Sequence, residues 1–162
     1  MADSKQAGGT QDGPEFIGVA LQVSVKGVNR CTDRPSSRAK IDENIRRIAE
    51  YTSTAAHFLS FFYGLPVRLV ALPEYTLTGF PIRESVQEWR DRACLEQNGP
   101  EYEALGKVAQ ANNLYLSGNV YEIDPHFPEL YFQTCFIIGP NGDVILRYRR
   151  FTSCFEPTPH DV

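Results

Sequence analysis

Two short runs hold the residues whose types could do chemistry. The first is Leu72-Pro73-Glu74-Tyr75, with Thr78-Gly79-Phe80 close behind, which puts a carboxyl group where an apolar run gives out. In open α/β sheets the ligand crevice lies beyond the carboxyl ends of the strands, so Glu74 stands where a site belongs and is a candidate general base. The plainer alternative is a Glu that forms a salt bridge at a strand end. The second run is Arg147-Tyr148-Arg149-Arg150. Taken alone, such a cationic cluster is ordinarily a solvated strand end.

Periodicity gives the elements that must hold these runs. Phe16 to Val25 is a continuous apolar run rich in β-branched residues, which predicts a strand covered on both faces. Ile41, Ile45, Ile48, Ala55, Leu59 and Phe62 recur at helical spacing, while Asp42, Glu43, Arg46, Arg47 and Glu50 take the other side. This predicts an amphipathic helix, stopped by Gly64 and Pro66. Val67 to Leu72 reads as a second buried strand, and strand, helix, strand makes a βαβ unit. A short helix is expected around Arg83 to Glu96. Asn98-Gly99-Pro100 opens another, with Ala104, Leu105, Val108 and Ala109 on one face and Asn112-Asn113 at its close. Leu114 to Tyr121 follows as a strand. Phe132 to Ile138 and Val144 to Tyr148 flank the turn-rich Gly139–Asp143 segment and predict a hairpin. Residues 1–14 have almost nothing to bury, which predicts a disordered tail ahead of a single domain over 15–162.

In order along the chain, three blocks resemble the nitrilase superfamily of carbon–nitrogen hydrolases. They are the strand running into Pro73-Glu74-Tyr75 with Gly79-Phe80, the strand Leu114-Tyr115-Leu116-Ser117-Gly118, and the hairpin from Gly139-Pro140-Asn141-Gly142-Asp143 to Arg147-Tyr148-Arg149-Arg150. The resemblance runs from about Phe16 onward and covers the N-terminal half or so of that family's catalytic domain. It implies an α/β fold, the N-terminal portion of a four-layer αββα sandwich, incomplete in this chain. It also implies a Glu-Lys-Cys triad acting on a small-molecule amide or nitrile. There the Glu activates a Cys thiol, the thiolate attacks the carbonyl or nitrile carbon, and the Lys stabilises the developing negative charge.

Glu74 falls on the family's Glu. The family's Lys stands two residues after the hairpin Tyr, which here is Arg150; an arginine keeps the positive charge but cannot be deprotonated. The family's nucleophile lies well beyond that Lys, outside this chain, and the neighbours of Cys154 do not match the family's nucleophile turn. A second Glu often follows the Lys in the family, and Glu156 is near that place. The resemblance calls for no cofactor, and self-association into a homo-oligomer follows from it as an expectation. Half a sandwich would leave one apolar sheet face exposed. Two functions are open. One is the N-terminal part of a hydrolase, inactive as an isolated chain. The other is a non-catalytic relative serving as a binding or assembly subunit, for which Arg150 is the evidence.

Composition narrows the partners. The chain has 162 residues, enough for one domain, and its 42% hydrophobic content can build a core of ordinary size. With 16 Lys+Arg against 20 Asp+Glu the net charge is −4. No basic stripe is present to track a phosphate backbone, so nucleic acid is not an expected partner. Ser60, Gly64, Pro66 and Arg68 interrupt the longest apolar stretch, so no membrane span is expected, and the N-terminus has no secretory pattern. Four Cys without paired spacing point to a reducing cytoplasm. Cys135 reads as a small core hydrophobe, while Cys31 and Cys94 lie among polar residues. Glu122, Asp124 and His126 alternate, but Pro125 and Pro128 place them in a solvated loop, and no metal site is implied. His57 lies near the helix's apolar side.

Overall fold

The computed structural model describes residues 13–150. Most of the expected tail, Cys154 and the candidate Glu156 lie outside the described residues. The elements follow in the order β1 (Ile17–Ala20), α1 (Arg34–Tyr63), β2 (Val67–Ala71), α2 (Val86–Ala93), β3 (Leu95–Glu96), α3 (Pro100–Asn112), β4 (Tyr115–Ile123), β5 (Phe132–Ile138) and β6 (Val144–Arg149). Among the described residues these strands form one sheet of order β1-β2-β4-β5-β6, with β3 paired to the far end of β4. β1, β2 and β4 run parallel, and β4, β5 and β6 are antiparallel.

The two crossovers step the same way across the sheet, from β1 to β2 and from β2 to β4. Because such connections are right-handed, both carry their helices to the same face. On that face Ile41, Ile45 and Ile48 of α1 and Leu105, Val108 and Ala109 of α3 meet Val70, Leu116, Phe136 and Ile138 of the sheet in one buried cluster. Among the described residues the opposite face carries no helix layer. Tyr115, Cys135, Leu146 and Tyr148 are exposed there, in keeping with the expected uncovered sheet.

Local chemistry sets the helix ends. Asp33 caps α1 by accepting from the Ser36 amide at 2.8 Å, Pro35 sits in the first turn, and Gly64 ends the helix at φ 69°. Pro100 opens α3, and Asn113 closes it in the left-handed region. The expected strand over Phe16 to Val25 is shorter and less covered: β1 lies at the sheet edge, and Gly18 and Ala20 are exposed. The buried stripe of α1 ends at Ala56, so Phe62 is exposed together with Phe58, Phe61 and Tyr63. The short helix expected around Arg83 to Glu96 is α2, with Ser85 as its cap and Trp89 buried.

The expected loop at Glu122 is also corrected. β4 runs on to Ile123, and Glu122 is fully buried, accepting from Tyr102 Oη, from Thr134 Oγ1 at 3.0 Å and from Arg147 Nε at 3.0 Å. Asp124 pairs with Arg149 at 2.5 Å, so two members of the cationic run are engaged and not merely solvated. His126 is exposed, as is His57, whose Nδ1 lies 2.7 Å from the Ser53 carbonyl. Cys94 is buried in the core cluster, which raises its thiol far above the ordinary range, with Arg38, Arg90 and Arg34 opposing that shift. No helix among the described residues is long and apolar enough to cross a membrane.

Gly106 carries a checkable constraint. A Cβ there would come within 2.6 Å of the Gly142 carbonyl in the β5–β6 turn. Glycine to alanine inside a helix is worth about 0.5–1 kcal/mol in propensity, but forcing backbone apart costs about 1–3 kcal/mol. Gly106→Ala should therefore lower the urea midpoint, against the sign that helix propensity alone would give.

Candidate active site

The site forms where β2 runs out. Leu72 N–H still bonds to the Ser117 carbonyl at 2.8 Å, and Pro73 then turns the chain out of the sheet. Tyr75 adopts φ 54°, a costly conformation for a bulky residue, and Asn119 of β4 holds it there by accepting from its amide at 2.8 Å. The Tyr75 carbonyl accepts from Gly79 N at 2.8 Å, closing the turn that displays Glu74.

A second loop is zipped against this one. Val28 N–H donates to the Thr78 carbonyl at 2.8 Å, and a Cβ on Gly79 would lie 3.1 Å from Gly27 Cα, so the two glycines permit the approach. Buried Asn44 of α1 ties both loops down, its amide donating to Lys26 O at 2.9 Å and to Leu77 O at 2.8 Å. Between them lies an open depression of about 410 Å³ lined by Val25, Asn29, Glu74, Tyr75, Phe80 and Ile82.

Arg150 arrives from the other side of the sheet. As β6 ends, its backbone N–H donates to the Gln133 carbonyl of β5 at 2.8 Å. Its guanidinium Nη1 also donates to Gln133 Oε1 at 2.6 Å. Gln133 Nε2 in turn donates to Glu74 Oε1 at 3.2 Å and to Tyr75 Oη at 2.5 Å. Two sequence candidates far apart in the chain, Glu74 and Arg150, thus meet on one buried amide. Glu74 itself is exposed at the mouth. Sequence reasoning missed Gln133, and its signal was a lone polar amide in the apolar run from Tyr131 to Ile138.

Cys135 is one pleat along β5 from Gln133 and on the same face, so it is exposed and not a core residue as its apolar neighbours suggested. Partial burial and the nearby Glu74 charge push its thiol above the ordinary range, with Arg150 opposing them. A raised thiol is a poor thiolate source, which argues against Cys135 as the nucleophile. Among the described residues no group of three or more His, Cys, Asp or Glu could hold a metal ion. Another depression, about 340 Å³, is lined by Arg34, Arg38, Asp42, Glu96 and Glu101, of which Arg34 pairs with Glu96 at 3.2 Å and Arg38 with Glu101 at 3.0 Å.

The wall beyond Phe80 hangs on Glu84. Its carboxyl accepts from Ile82 N at 2.8 Å, from Arg83 N at 3.1 Å and from Asn29 Nδ2 at 3.0 Å. Burial works to raise this carboxyl, but those N–H groups outweigh it and hold it at about 2 against an ordinary 4.5. A carboxyl depressed in the fold contributes stability above its ordinary value and loses it as pH falls towards the folded one. Glu84→Gln should therefore cost about 2 kcal/mol at pH 7 and much less at pH 3, read from urea midpoints at the two pH values.

Known proteins share this sequence pattern and this fold. The family model for carbon-nitrogen hydrolases matches residues 28–161. The formamidases of Bacillus thuringiensis (strain Al Hakam) and Bacillus cereus (strain AH820) are each 31% identical over 117 residues, which is 70% of this chain and 32% of theirs. The chain thus spans about a third of the length of these curated relatives. Saccharomyces cerevisiae Nit3, a member of branch 10 of the nitrilase superfamily, superposes with a TM-score of 0.58 at 20% identity, over 70% of this chain and 40% of its own. A carbon-nitrogen hydrolase from Helicobacter pylori G27 gives 0.53 at 16% identity, over 82% and 38%. These structures share the fold, and the family match covers most of the residues: the chain belongs to the carbon-nitrogen hydrolases of the nitrilase superfamily.

Proposed function

We propose that this chain supplies the general base and the cationic corner of a hydrolase that cleaves amide C–N bonds by Glu/Lys/Cys-type covalent catalysis. Glu74 is the base, Arg150 takes the lysine's place, and the thiol comes from outside this sequence. The observation that carries the reading is the convergence of Glu74 and Arg150 on Gln133, beside an open depression at a strand's carboxyl end. Glu74 would take the thiol proton as sulfur attacks the carbonyl carbon, then return it to the departing nitrogen as the C–N bond breaks. Water would cleave the thioester by the same route. The guanidinium would stabilise the oxyanion through its charge and its N–H donors, and would donate no proton. Glu156, six residues after Arg150 in the sequence, is a further candidate. Formamidases and an N-terminal amidase among the similar proteins are named for amides, which supports amides over nitriles as substrates.

A second reading, a non-catalytic binding or assembly subunit, is favoured by the arginine at the lysine's position. Ammonia release from formamide and larger primary amides, measured on the protein as its own cells make it, separates the two. The hydrolase reading expects release by the parent and a loss of about 10²–10⁴-fold in Glu74→Gln. No release by a protein whose intact mass is 18.3 kDa would hand the lead to the subunit reading.

A further inference from the structure

Gln133 is 2% exposed, and both N–H groups and the oxygen of its side-chain amide are engaged. One N–H goes to Glu74, the other to the Tyr75 hydroxyl, and the oxygen takes the Arg150 guanidinium. Chemistry fixes the orientation of this amide. A guanidinium only donates and a carboxylate only accepts, so the reverse orientation would set oxygen against oxygen and N–H against N–H. Its place in the sheet is equally fixed, because Gln133 pairs with Tyr121 across the β4–β5 ladder and accepts the backbone N–H of Arg150 through its own carbonyl. Tyr121, stacked on Tyr75 with ring centroids 5.2 Å apart, backs the same spot.

We propose that Gln133 is a positioning residue for the reaction assigned above, a polarity-matched spacer that aims the Glu74 carboxyl group and the Arg150 guanidinium at one point. The inference rests on that functional reading. A planar guanidinium and a carboxylate left to themselves favour a bidentate pair, which would occupy both catalytic groups with each other. An amide held between them engages one oxygen of the carboxyl group and one nitrogen of the guanidinium, so that the second oxygen of Glu74 is left to face the depression. The same placement accounts for how an arginine can serve where the family has a lysine: its planar fork is met by a planar amide oxygen at the height the strand register sets.

The test begins with the parent protein. The Gln133 side-chain amide resonances should titrate with pH in step with the Glu74 carboxyl carbon, and should lose that response in Glu74→Gln. Amide resonances indifferent to pH would overturn the proposal, and this arm carries no risk of misfolding. Gln133→Glu provides the second arm, because it keeps an acceptor for Arg150 while replacing the donor to Glu74 with another carboxyl group. Two carboxyl groups sharing one site cannot both ionise freely, so the Glu74 titration midpoint should rise by about one pH unit, a tenfold change. A Glu74 midpoint unchanged in Gln133→Glu would mean that the two side chains do not share a site, and that result would also overturn the proposal. In hydrolysis, the acid limb of kcat/KM should move up with the midpoint while KM stays near its parent value. Absence of hydrolysis by the parent would sink the functional reading, and the two titrations would still decide the role of Gln133.

Discussion

A fully buried carboxyl group, Glu122, holds the sheet and its helix layer in one piece. It sits on β4 and takes bonds from α3 through Tyr102, from β5 through Thr134 and from β6 through Arg147. The Arg147 guanidinium also lies 5.0 Å over the Tyr102 ring and 3.4 Å from Asn98 Oδ1. Burying such a pair gains little over an apolar substitute, but removing one partner strands the other without water. The arrangement therefore specifies geometry more than it adds stability. It fixes where β5 and β6 lie against α3, and so where Gln133 and Arg150 emerge on the opposite face.

The Glu74 side depends on backbone accounting at the strand ends. Two loops leave the sheet there, and their carbonyl and N–H groups would be orphaned if each stood alone. Asn44 and Asn119 act as prosthetic backbone, one donating to two loop carbonyls and the other accepting from the strained Tyr75 amide. Gly27 and Gly79 let the loops close to van der Waals distance. Side-chain amides recur at each of these joints, and Gln133 extends the pattern to the catalytic pair. An amide can donate and accept at once, which suits a crowded site where two loops and two strands converge.

Much of this was legible in the sequence because it depends on local rules. The helical period of Ile41, Ile45 and Ile48, the Gly64 stop, the Pro100 start and the Gly139–Asp143 turn each write a boundary in residue types. Pro73-Glu74 at a strand end pointed to the site for the same reason. What was not legible depends on which face is covered. Phe62 fits the period of α1, but the helix's buried stripe stops at Ala56, so its last turn is bare. Cys135 looked like core because its neighbours are apolar, yet the two-residue pleat turns it to the open face. Pro125 and Pro128 suggested that the strand ended early; it runs to Ile123 because Glu122 has three partners waiting inside. Gln133 was invisible because its partners come from loops distant in sequence.

One strand, β5, places neighbouring residues in opposite compartments: Gln133 serves the site and Thr134 serves Glu122. Side-chain parity along a strand has period two, so inserting or deleting a single residue between Phe132 and Phe136 would exchange the two compartments. The amide would be driven against the buried carboxyl group together with the cysteine, and the threonine would be left facing Glu74. Length changes in the Gly139–Asp143 turn carry no such exchange as long as the ladder above them keeps its count. The sequence of this strand is thus free to drift residue by residue but not to shift in frame, because both faces of the molecule are read from the same odd and even positions.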